Sequence, residues 1–134
     1  MPQCYCITIC TESSINRTNG TINLLSLIGG ILVDALPATI PMKTQVFWYF
    51  SPEELEQNFE SRLVISLKQG HTMYSQPFAL NPSTPYLHIE GNEMQVFSAD
   101  EHRIGIEWRR QTDTNDAPWN RESVFWPIFV HLSS

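Results

Sequence analysis

The chain has 134 residues, with 14 acidic and 8 basic side chains for a formal net charge of −6, 42% apolar residues and 11% aromatics. That length suits one domain over 1–134, and the sparse charge with abundant aromatics excludes intrinsic disorder. No apolar run approaches the ~20 residues of a membrane-spanning helix, so no membrane partner is expected.

Met1 to Cys10 carries no Lys or Arg and alternates apolar with polar residues, so it reads as a strand of the mature fold rather than an export signal. Even spacing of Cys4, Cys6 and Cys10 predicts three thiols on one strand face, opposite Tyr5, Ile7 and Ile9. Neighbours on one strand cannot meet disulfide geometry, so free thiols in a reducing cytoplasm are expected. The next residues, 12–20, are polar and end in the turn signal Asn19-Gly20. Two glycosylation sequons there, at Asn16 and Asn19, read as chance matches.

Residues 21–28 predict a strand that Gly29-Gly30 interrupts and Ile31 to Val33 resumes, with a bulge, bend or close backbone approach at the glycines. Pro37 and Pro41 predict a loop that no central strand could accommodate. From Met42 to Phe50 runs the most aromatic strand, with Val46, Trp48 and Phe50 on one face and Phe47 and Tyr49 on the other. Ser51-Pro52-Glu53-Glu54 carries a capping box and a first-position proline, which predicts one short helix over 52–58. Further strands are expected over 62–68, 73–80, 86–89 and 94–97, the last two split around Gly91-Asn92. Residues 103–110 alternate Ile104, Ile106 and Trp108 against Gly105, Glu107 and Arg109. The strand over 124–132 contains Pro127, which predicts an edge position or a bulge. About eight strands and one short helix make an all-β chain: two antiparallel sheets in an immunoglobulin-like sandwich, with a closed barrel as the alternative.

Chemistry is harder to find. No Gly-x-Ser-x-Gly occurs, His71, His88, His102 and His131 stand singly, and Gly29-Gly30 precedes no phosphate-binding sequence. These features favour a non-enzymatic role with no cofactor. Arg109-Arg110 is the only adjacent basic pair on an acidic chain, so nucleic acid is not expected as a partner. Asp113, Asn115 and Asp116 bring oxygen ligands to one loop and are the metal candidates, without the glycine and distant glutamate of an EF-hand. The aromatic strands remain. Core packing accounts for most of the rings, while Tyr49 and Trp119 are expected as surface contacts.

The run Asn23-Leu24-Leu25-Ser26-Leu27-Ile28-Gly29, followed by an apolar stretch into Pro37 and Pro41, resembles a bacterial family of short all-β proteins described only as a domain of unknown function. The cysteine-bearing first strand and Ile104-Gly105-Ile106-Glu107-Trp108 are similar as well, while the double glycine and the helix near Pro52 depart from the pattern. The resemblance implies a sandwich in a bacterial cytoplasm and assigns no catalytic residues. The function expected is a binding or assembly module that contacts a protein partner or itself through aromatic strand surfaces. The alternative is a small-ligand binder (nucleotide, sugar or metal) or a hydrolase, with a loop-lined pocket at His88, Glu90 and Trp108.

Overall fold

Strands that alternate apolar and polar residues have one face to bury, and stacking two sheets buries both. A computed structural model describes residues 1–15, 22–68, 70–80, 88–112, 114 and 116–133, with only the backbone described at 12–15, 22–26 and 88–92. The strands are β1 (Gln3–Ile15), β2 (Ile22–Leu27), β3 (Gly30–Val33), β4 (Ala38–Tyr49), β5 (Phe59–Leu67), β6 (Thr72–Tyr74), β7 (Phe78–Leu80), β8 (His88–Val96), β9 (Glu101–Arg110) and β10 (Asn120–Leu132). A four-stranded sheet has the order β2-β1-β4-β8, and the second sheet the order β3-β10-β9-β5-β6, with β7 also paired to β5. β4 and β8 thus lie in one sheet while β5, β9 and β10 lie in the other, the division of an immunoglobulin-like sandwich.

One pairing departs from the expected antiparallel pattern: β3 runs parallel to β10. The cause is a switch of sheets at the double glycine. Ile28 N–H donates to Ile9 O at 2.8 Å in the first sheet, and Phe129 N–H donates to Gly29 O at 3.0 Å in the second. The chain crosses from one sheet to the other there and meets β10 in the same direction.

Among the described residues the strands number ten, against the eight or so expected. The expected strand over 73–80 is divided at Pro77 into β6 and β7, while β8 runs unbroken through Gly91-Asn92. A positive φ at Gly70 makes the turn into β6. The expected helix over 52–58 is a single 3-10 turn, Pro52–Glu56. Its Glu54 carboxylate accepts the Ser51 backbone N–H at 2.8 Å, as a capping box requires.

Both prolines sit inside strands, and register explains each. Pro41 belongs to β4 rather than to a loop. β1 pairs with β4 only as far as Lys43, so at Pro41 the strand bonds β8 alone and is locally an edge. Pro127 pairs with Arg103 on β9, and β3 joins β10 only from Phe129 onward. That strand, too, is locally an edge where its N–H is missing.

The three thiols do not share a face. Register shifts between Cys4, opposite Trp48, and Cys6, opposite Phe47. The extra residue, Tyr5, turns outward, so Cys4 faces the core while Cys6 and Cys10 pair with the outward positions Phe47 and Lys43. No disulfide joins any of the three among the described residues, and burial pushes the Cys4 thiol up to about 12.

Between the sheets lie Ile9, Val46, Met94, Ile106 and Ile128, all at 0% exposure. Burying each aliphatic side chain is worth about 1.5–3 kcal/mol. An aromatic chain ties the two layers together at one end. Trp48 stacks on Phe50 at 6.1 Å, Phe50 meets Phe59 at 6.0 Å, and Trp108 packs edge-on to Phe59 at 5.7 Å. At the β10 side Glu122 accepts the Cys4 N–H at 2.6 Å, and Trp126 Nε1 donates to Ile28 O at 2.6 Å.

Candidate functional site

Residues 105, 107 and 109 alternate with the core positions of β9, so their side chains belong to the outer face of the second sheet. The register then selects their neighbours. Glu107 lies opposite Arg62 on β5 and Arg121 on β10, and Arg109 lies opposite Glu60. Opposite charges directly across strands attract most strongly in that position.

Glu107 is clamped from both sides. Arg62 reaches its Oε1 through Nε and Nη2, both at 2.8 Å, and Arg121 Nε donates to Oε2 at 3.0 Å. Only 8% of the Glu107 side chain is exposed, so two cations compensate one nearly buried anion. Arg109 Nε pairs with Glu60. Trp119 lies across this row, with the Arg62 and Arg109 guanidinium carbons each 4.3 Å from its ring centre. On its other side Arg62 stacks over Tyr74 at 3.9 Å. The result is a ladder of Tyr74, Arg62, Trp119 and Arg109 held by cation–π contacts and ion pairs.

Next to the ladder the surface opens into a cleft of about 480 Å³. Val64 and Gly105 form its floor, Ser123, Val124 and Phe125 one wall, and Arg103 and Arg121 reach it as well. Three residues of β10, 122–124, stand against Ile106 alone on β9, so the ladder of backbone bonds is interrupted along that wall. Arg103 donates Nε to Glu101 at 3.1 Å, and its guanidinium carbon lies 4.7 Å above the Phe125 ring. Unlike Glu107, the cleft arginines are half-exposed, at 52% for Arg103 and 50% for Arg121. The face gathers four of the chain's eight basic side chains.

The expected site residues separate. Tyr49 is exposed, at the end of β4 beyond its pairing with β8, near a tilted Tyr5–Phe47 pair on the same outer face. Trp119 is on the surface but half-buried between two arginines. Trp108 is a core residue, pointing between the sheets because its neighbours Gly105, Glu107 and Arg109 take the outer positions. In the backbone register His88 and Glu90 stand opposite Val46 and Thr44 in the other sheet, and their side chains lie outside the described residues. So do Asp113 and Asn115, whereas Asp116 is exposed and accepts the Thr114 hydroxyl. Arg62, Arg103, Arg121 and Gly105 were not singled out from the sequence. Their signal was the polar half of each alternation, which marks an outer face but not which strands are neighbours. No protein-family model matches the chain, and no curated protein shows significant similarity to it.

Proposed function

We propose that the protein is a non-enzymatic binding module that engages a protein partner through the outer face of its second sheet. One observation carries this reading: an open cleft with two half-exposed guanidiniums and an exposed phenylalanine, built against a ladder rigid enough to hold it. Arginine and aromatic side chains are the types enriched where proteins meet. A preformed surface also loses little freedom on binding, which favours affinity. Cys4 and Cys6, which form no disulfide among the described residues, suit a reducing, cytoplasmic setting.

Selection of peptides from a random display library, followed by amide-shift mapping on the isotopically labelled protein, tests the proposal. Shifts should cluster on the outward positions of β5, β9 and β10. Ligands that map instead to the Tyr5, Phe47 and Tyr49 surface of the other sheet overturn it.

A further inference from the structure

Gly105 has no backbone reason to be glycine. Its φ lies outside the left-handed region, and an added Cβ would stand 3.7 Å from Val124 O and 3.9 Å from Val64 O, both ordinary contacts. Glycine inside a strand costs stability, since it orders more backbone and packs no side chain. What the residue achieves is space: any side chain there would rise from the floor of the cleft. The β10 bulge beside it widens the same space. Two independent departures from regular strand structure thus produce one cavity.

The charges around the cavity define what fits. Arg62 and Arg121 together share Glu107, and Arg103 is matched by Glu101. The remaining carboxylate on the rim, Glu122, is turned away to the Cys4 N–H. That hydrogen bond leaves Glu122 ionised, so three arginines stand against three carboxylates around the cleft; what it offers an anion is guanidinium N–H donors without surplus positive charge, which suits a monoanion better than a dianion. Arg121 gives one N–H to Glu107 through Nε, and a guanidinium carries four more donors in a planar fork suited to carboxylate. Phe125 and Val124 supply an apolar wall beside it.

We infer that the cleft over Gly105 receives an acidic side chain, glutamate or aspartate, from an extended segment of the partner, with an adjoining apolar residue against Phe125. This rests on the binding face proposed above and specifies the ligand chemistry it reads. The acetylated, amidated tripeptide Phe-Glu-Val serves as the probe, beside Phe-Gln-Val and Phe-phosphoserine-Val, in amide-shift titrations of the intact chain. The glutamate peptide should shift the Gly105 and Ser123 amides and bind at least tenfold more tightly than the glutamine peptide. Arg121→Gln and Arg103→Gln should each erase that preference. Gly105→Val should abolish binding of both peptides while leaving the unfolding midpoint at or above that of the unaltered protein.

Equal binding of the glutamate and glutamine peptides at these amides overturns the carboxylate while the binding face stands. Tighter binding of the phosphoserine peptide overturns the monoanion assignment in the same way. If no peptide moves the cleft amides, the inference fails; the library selection, which makes no assumption about charge, then decides separately whether the face itself binds.

Discussion

The ladder and the cleft occupy one sheet face and use the same residue types, yet they are built to opposite ends. In the ladder, Arg62 and Arg109 are 22% and 14% exposed, each is paired with a carboxylate, and Trp119 fills the gap between them. In the cleft, Arg103 and Arg121 are about half-exposed and the position between them holds a glycine. Removing water from paired charges makes the pair rigid, and removing one partner then leaves a costly buried charge. Leaving arginine in water keeps its donors available at little cost. Arginine is therefore locked in place or left with available donors according to its burial, and the two kinds stand side by side here.

Disrupting the ladder tests this contrast most strongly. Glu107→Ala leaves Arg62 and Arg121 without their shared anion and should lower stability by about 3 kcal/mol, read from urea unfolding. Trp119→Ala removes the ring between two guanidiniums and should cost about 1–2 kcal/mol while leaving the sandwich intact by circular dichroism. The last effect is confined to alkaline pH and belongs to the core side of the bulge in β1. Because burial raises the folded Cys4 pKa from 9.0 to about 12, the unfolded thiol loses its proton first as pH rises. Folding stability contributed by protonated Cys4 is complete below pH 9.0 and should decline as pH climbs toward 12. Cys4→Val should show a shallower decline over that window, and identical pH profiles for the two proteins would contradict the assignment. The contrast fails outright if Glu107→Ala is neutral.

Much of the sandwich was legible from alternation. Val46, Trp48 and Phe50 share one face as expected, as do Ile104, Ile106 and Trp108, and that face is the core, which takes Trp108 out of the expected loop-lined pocket. Where structure and expectation differ, the missing information is pairing. Pro41 looked incompatible with a central strand because nothing local reveals that β1 has stopped pairing by that point. The cysteines looked coplanar because spacing assumes a regular pleat, and the Tyr5 bulge breaks it. Trp119 was recognised as a surface ring, but the two arginines that hold it come from β5 and β9.

Away from bulges such as that at Tyr5, the sequence by itself determined which side chains turn inward, because a period of two assigns each residue to a face before any strand finds its neighbour. It could also place the double glycine at a break and the capping box at a turn, both of which are local. Only the tertiary structure decided what the outward residues do. Arg62, Glu107 and Arg121 lie far apart along the chain and become a clamp only through the β5-β9-β10 register. Gly105 becomes a cleft floor only because β10 bulges beside it, and such coincidences depend on distances across strands that no single segment encodes.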